Sequence, residues 1–274
     1  MQKARYPAPI PHRWPGAPVE AVLEARPNRF LAVCRLSGRS IEAHVPDRGR
    51  CLDLLVAGRP VLLVEAQGPL RRTAYTVLLA RAGGRDGPWV SLDPAGAPRL
   101  VCAALEAGLL PSLGGLRPVA REVALRDSRL DLLLADGGTP AGRRLSVAFS
   151  TGAARPGRVR ARLLVEALRT GVLCEVKSVG AARGGIALFP DAPTLRGVRH
   201  LALLARRARR GLRSALVLCA QRGDVRAIAA DAGIDPIFAR ALGLARDAGV
   251  EIAGLVCAAE PAGMRLIGEV PVLG

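Results

Sequence analysis

The pattern of apolar segments changes character near residue 110, and that change sets what a chain of 274 residues like this one can fold into. From residue 19 to 92 the segments VEAVLEA, RFLAVCRL, SIEAHV, PVLLVEAQ, AYTVLLARA and PWVSLD are short and strand-like, and turn signals such as PDRG at 46–49 and GGRDG at 83–87 separate them. Five or six strands at this spacing predict a small barrel or a strongly curved sheet. APRLVCAALEAGLL at 97–110 has apolar residues at helical spacing and reads as a connecting helix. Beyond it PVAREVAL, SRLDLLLA and VLCEVKSV are strand-like, and SALVLCAQ and VEIAGLVCA alternate with helices expected at 193–210 and 235–247. Such alternation predicts a mixed α/β sheet. The expected organisation is a proline-rich, disordered arm over 1–18, a β domain over 19–110 and an α/β domain over 111–274, with an arginine-rich insertion over 137–171.

No run without a charged residue exceeds ten residues, as in AGLLPSLGGL, and crossing a bilayer takes about twenty. The first eighteen residues are broken by proline and lack a signal-like apolar core, so a cytoplasmic protein is expected. Six cysteines occur without a C-x-x-C pair, mostly in apolar runs, and read as reduced core residues. With three histidines in the chain, a metal here is expected to be held by oxygen.

The net charge of +17 fits a polyanionic partner, since neutralising phosphates releases condensed counterions. Residues 1–110 carry a charge of +6 and residues 111–274 carry +11, so both halves are able to touch it. A general bias toward arginine is the competing explanation. Aromatic residues make up 3% of the chain, too few for a base-stacking surface, so backbone contacts are expected to dominate.

Of the 40 basic residues 38 are arginine, and the two lysines are Lys3 and Lys177. Lys177 lies two residues after Glu175, inside the apolar run VLCEVKSV, where a long cation is costly without a task. A compact ammonium differs from a planar guanidinium in ways that chemistry exploits. Period-2 alternation puts Glu175 and Lys177 on one strand face, about 7 Å apart. In SRLDLLLA it puts Asp131 with Arg129 and Leu133. If the two strands are neighbours, the three groups converge into a pair of carboxylates suited to a hard divalent cation, with a lysine to stabilise developing charge. Two readings stay open at this point: that site, or an ion pair of Lys177 with Glu175 or Asp131 on a solvated edge.

The strings RFLAVCRL, AHVPDRGR, EVALRDSRLDLLL, CEVKSV, FPDAPTLRGVRHL, LVLCAQRGD and IDPIFARAL, in that order over about residues 20–258, resemble the sugar fermentation stimulation protein family. The resemblance implies an α+β chain, with an N-terminal OB-like β-barrel followed by an α/β PD-(D/E)xK nuclease-like domain. It implies Asp131, Glu175 and Lys177 as catalytic residues with Gln221, and Asp131 and Glu175 as ligands of Mg2+ or Mn2+, with Glu122 as an additional acidic residue. Gln221 and Arg222 match the family's Q-R pair, expected to face the substrate. Arg29, His44, Arg48 and Arg50 match nucleic-acid contacts of the first domain. Arg196 and His200, with Thr194 and Arg199, match contacts of the second, although a capping threonine and solvated helix charges explain that segment as well. The implied partner is DNA, with RNA as a second candidate, and no membrane. The implied activity is phosphodiester hydrolysis, the alternative being a non-catalytic DNA-binding regulator of sugar metabolism genes. The chain departs from the family at 46–50, where PDRGR replaces the usual P-N-T-G-R, and in the length of the insertion between Asp131 and Glu175.

Overall fold

The computed structural model describes residues 14, 16–66, 68, 71–125, 128–138, 165, 166 and 168–274. The arm expected over 1–18 lies outside the described residues except for Trp14 and 16–18, and so does most of the insertion expected over 137–171. Trp14, within the arm expected to be disordered, packs against the fold. Its indole is buried in the core, and its N–H donates to the carbonyl of Glu260 at 3.1 Å.

The first domain is a closed five-stranded barrel of β1 (Val19–Asn28), β2 (Leu31–Leu36), β3 (Arg39–His44), β4 (Pro60–Glu65) and β5 (Tyr75–Arg81). The path β3-β2-β1-β4-β5 is antiparallel, and β3 pairs in parallel with β5 through Ala43–Tyr75 and His44–Thr76. Closure removes the sheet edges that short strands otherwise expose. Alternating residues such as Leu23, Ala32, Cys34, Ala43, Leu63 and Val77 fill the interior.

The short β6 (Trp89–Ser91) joins the halves, pairing with β5 on one side and, through Trp89–Ala259, with β14 (Glu251–Glu260) on the other. Helix α1 (Ala97–Glu106) follows and packs with the second domain: Leu100, Val101, Cys102 and Leu105 share a core with Val172, Cys174, Val217 and Leu255.

The second domain has the expected mixed sheet. Its order is β7 (Leu116–Leu125), β8 (Ser128–Asp136), β9 (Val172–Val179), β12 (Ser214–Ala220) and β14, with β15 (Gly263–Val270) antiparallel to β14. The strands β9, β12 and β14 are parallel, and β12 is buried along its whole length. That explains why SALVLCA is apolar throughout rather than alternating: helices cover both faces. Helix α2 (Leu195–Ala208) and helix α3 (Pro236–Asp247) cover the face opposite α1, through Leu201, Leu204, Phe238 and Leu242. Between β9 and α2 run β10 (Ala182–Arg183) and β11 (Ile186–Phe189), and β11 pairs in parallel with β13 (Ala227–Ala230) in a second, smaller sheet.

The long insertion leaves the β8–β9 pairing undisturbed: Leu134, Leu133 and Leu132 oppose Val172, Leu173 and Cys174. Loop-closure cost rises only about 0.6 kcal/mol per doubling of length, so strand burial outweighs it. All six cysteines are buried free thiols, as expected. Among the described residues no helix is long and apolar enough to cross a membrane.

Candidate functional site

The β8–β9 ladder ends at Leu132–Cys174, and just beyond it the backbone N–H of Val176 donates to Asp131 Oδ2 at 2.8 Å, which brings Asp131 close enough to Glu175 to feel its charge. On the other side of β8, Glu122 lies between the pairs Arg121–Leu132 and Val123–Leu130, near enough to add to the negative charge at Asp131.

The three differ sharply in environment. Glu175 is 3% exposed, and its Oε1 accepts from Lys177 Nζ at 2.5 Å and pairs with His200 Nδ1 at 2.6 Å. Burial pushes this carboxyl up, but the hydrogen bonds from His200 and Lys177 outweigh it and hold it below the ordinary glutamate value. The second oxygen, Oε2, is buried and has no hydrogen-bond partner. At Asp131 the balance goes the other way: burial first, then the nearby Glu175 charge, outweigh the Val176 N–H bond and the Lys177 charge and raise its carboxyl to about 6. Glu122 points toward solvent and forms an ion pair with Arg129 at 2.8 Å. Its backbone is left-handed at φ 53°, an uncommon conformation for a side-chain-bearing residue.

A buried anionic oxygen without a donor costs the full desolvation of that group. A divalent cation would satisfy it, and a magnesium-type ion needs only one or two carboxylates because it keeps several waters. The donor set of Asp131 and Glu175 therefore fits such an ion. Among the described residues no cluster of three or more His, Cys, Asp or Glu side chains forms a ready-made metal cage, so Glu122 does not complete one.

Of the cluster, Lys177 lines a cleft of about 420 Å³ between the domains. Lys177, Ser178, Asp191 and Arg196 line one wall, and Asp47, Arg48 and Gly49 of the barrel line the other. Asp47 Oδ1 accepts from Gly49 N at 2.8 Å, the turn-closing bond that the family's asparagine is equally able to make. Replacing Asn by Asp therefore keeps the loop shape. Arg48, which stands where the family has threonine, lies 5.8 Å from the centre of the Phe30 ring. Arg26 shapes the same loop by donating to the carbonyls of Gly49 and Arg50.

Asp191 ties the walls together. Its Oδ2 accepts from the backbone N–H of Cys51 at 3.0 Å and lies so close to Gly49 that there is no room for a Cβ there.

The sequence-derived residues divide into three groups. Asp131, Glu175 and Lys177 converge, and Lys177 shares the lining of the cleft with Arg48 and Arg196. Arg29 and Arg50 are exposed on the barrel, and His44, half-buried at the end of β3, pairs with Leu31 and Thr76. His200, expected to touch nucleic acid, is 4% exposed and instead holds Glu175 from beneath. Thr194 caps α2, its Oγ1 accepting from Gly197 N at 3.1 Å, so the capping explanation applies to it.

Gln221 and Arg222 also depart from expectation. Ser178 alternates with Lys177 onto the opposite sheet face, and Gln221 Nε2 donates to Ser178 Oγ and to the carbonyl of Asp93, both at 2.8 Å. Arg222 is 4% exposed and clamps Asp224 bidentately, reaching Gly180 O at 2.7 Å and Asp53 of the barrel loop at 3.5 Å. The pair fastens the domains rather than facing a substrate. Gln221→Ala is accordingly expected to lose about 1–3 kcal/mol in urea unfolding, the cost of stranding buried partners, while leaving cation binding at Glu175 unchanged. A cleavage defect with unaltered stability would return Gln221 to the catalytic set.

Sequence reasoning missed the roles of Asp191 and His200. Asp191 carries no local signal, since its partner is 140 positions away. His200 does carry one: on α2 it falls within the buried stripe of Gly197, Leu201 and Leu204, where an imidazole needs a polar partner.

Comparison with known proteins adds to this geometry. Residues 151–263 match the family described as "Sugar fermentation stimulation protein RE domain", and residues 25–92 match the "SfsA N-terminal OB domain". A sugar fermentation stimulation protein homolog of Chloroflexus aurantiacus is 42% identical over 258 residues, covering 94% of this chain and 86% of the relative. One from Moorella thermoacetica is 38% identical, covering 93% and 96%. Among solved structures, that of Pyrococcus furiosus SfsA in complex with Ca2+ superposes with a TM-score of 0.76 at 25% identity, covering 96% of this chain and 99% of that one.

Proposed function

The chain belongs to the sugar fermentation stimulation protein family, and from the chemistry of its interdomain cluster we propose that it is a divalent-cation-dependent phosphodiesterase acting on nucleic acid, DNA in the first place and RNA as a second candidate. The observation that carries this reading is the buried, partnerless Oε2 of Glu175, close to Asp131 and beside Lys177. The Pyrococcus furiosus relative is described in complex with Ca2+, a hard cation that takes oxygen ligands, which agrees in kind with a carboxylate site here.

Asp131 and Glu175 would hold Mg2+ or Mn2+. Such an ion, when bound, supplies Lewis-acid polarisation of the phosphoryl group and acidifies a water. The remaining work belongs to the chain. His200 fixes the Glu175 carboxylate through Oε1, so that Oε2 would be free to hold the cation. Lys177 stands at the cleft wall and offsets charge developing on the phosphoryl oxygens. Arg48 and Arg196 present charge from opposite walls and place the backbone.

The reading is tested by following cleavage of labelled single- and double-stranded oligonucleotides in chelator and in Mg2+ or Mn2+, together with the shift of melting temperature that the cation produces. Cation-dependent cleavage is expected, with a stabilising shift that Glu175→Gln removes. Oligonucleotide binding with no cation-dependent cleavage by the wild type would sink the enzyme reading and leave a non-catalytic nucleic-acid binder.

A further inference from the structure

Helix α2 carries basic residues that the cleft does not use. At about 100° per residue, Arg196, Arg199 and Arg206 share one face of the helix, while Gly197, His200, Leu201, Leu204 and Ala205 are buried on the other. All three arginines are exposed, and so is Arg210 in the turn that closes the helix. Arg196 lines the interdomain cleft. Arg199, Arg206 and Arg210 line a separate hollow of about 920 Å³, whose floor includes Leu173 and Leu203. The two concavities are therefore joined by a row of guanidinium groups.

Among the described residues the row has no paired counter-charge. Helix α2 contains no acidic residue, and among the described residues none of these four arginines forms an ion pair with a carboxylate. Arg207 is different: its guanidinium donates to the carbonyls of Leu168, Gly171 and Arg213 and so holds the fold. Apolar surface beneath the row suits arginine stems while the heads stay in water. From residue 196 to 210 the row spans about 21 Å at helical rise, roughly the length of six base pairs of duplex.

We propose that this row is a phosphate track: nucleic-acid backbone leaving the interdomain cleft runs along α2 into the hollow formed at Arg206 and Arg210. The proposal rests on the nucleic-acid part of the reading above and does not depend on cleavage.

The test compares wild type with the double variant Arg206→Gln, Arg210→Gln, using single-stranded DNA of about 4 nucleotides, too short to run from the cleft to Arg206, and single- and double-stranded DNA of about 30 nucleotides, at several salt concentrations. Two lost phosphate contacts are expected to lower the slope of log affinity against log salt by about 1.8 for the duplex and about 1.4 for the single strand. Affinity for the longer probe should fall at least about tenfold at 0.1 M salt, with little change for the shorter one. Arg48→Gln, on the opposite wall of the cleft, should weaken both lengths alike. Thermal melting confirms that the exposed substitutions leave the fold intact. Unchanged slope and long-probe affinity in the double variant overturn the track alone. Failure of the wild type to retain any oligonucleotide overturns the nucleic-acid reading with it. Capture of anionic lipid vesicles that depends on Arg206 and Arg210, without such dependence for DNA, assigns the row to a membrane surface and also overturns the track.

Discussion

Lys177→Met is expected to lower cation-dependent cleavage by about 10²- to 10³-fold, the usual loss when one preorganised electrostatic group is removed from a reacting centre. Binding of the cation should be retained or tightened. In the free protein Lys177 Nζ and a divalent cation compete for the negative charge of the same carboxylate, since Nζ lies 2.5 Å from Glu175 Oε1. Removing the ammonium removes the competitor, and His200 still anchors Oε1. Lys177→Arg is expected to restore little, because a wide planar fork does not replace a point charge in a strand position only 15% exposed. Single-turnover cleavage and Mn2+ titration by calorimetry, run on the same preparations, give both quantities. Lost cleavage with equally lost Mn2+ affinity would make Lys177 a support for the carboxylates rather than a participant in the chemistry, and undiminished cleavage would remove it from the site.

The pairing of Glu175 with Lys177 was legible because a strand has a two-residue period, so E-x-K on a strand is a statement about one face. The scarcity of lysine in the chain drew attention to the same position. The barrel was legible for a related reason: short alternating segments between turn signals have few other ways to bury their apolar faces. Asp131 was not legible from spacing. It meets Glu175 only because β8 and β9 keep their register across the intervening insertion, and order along the chain says nothing about register when the connection is long. Gln221 and Arg222 show the same gap. At the end of an all-apolar strand, a polar pair looks like a mouth opening on substrate. Here the neighbours are Asp93 and Asp53, contributed from more than 120 positions away, and they turn that mouth into a seam between domains. The cleft itself belongs to neither domain alone, which is why Asp191 and Gly49, whose contact sets its width, carried no local mark.

Without a divalent cation the contribution of Asp131 to stability is expected to fall as pH rises from about 4 to about 6, by up to about 3 kcal/mol. The sign follows from Asp131, whose carboxyl is raised to about 6 by burial and by the Glu175 charge. Between the unfolded value near 4 and that folded value, the folded chain binds more protons than the unfolded one, so each step up in pH favours unfolding; above about 6 the loss is complete and the curve flattens. Asp131 is only half-buried, so solvent screening trims the measured figure. Asp131→Asn should abolish this part of the pH dependence, because the amide does not ionise. Mn2+ or Mg2+ should oppose it: an ion taken up by the ionised pair stabilises the fold more as pH rises through 6, since protons and cation compete for the same oxygens. Urea unfolding at intervals from pH 4 to 7.5, in chelator and in Mn2+, measures both effects. Identical pH profiles for wild type and Asp131→Asn in chelator would mean that neither burial nor the Glu175 charge raises the Asp131 carboxyl. The cluster would then lack the electrostatic demand on which cation binding, and with it the proposed chemistry, depends.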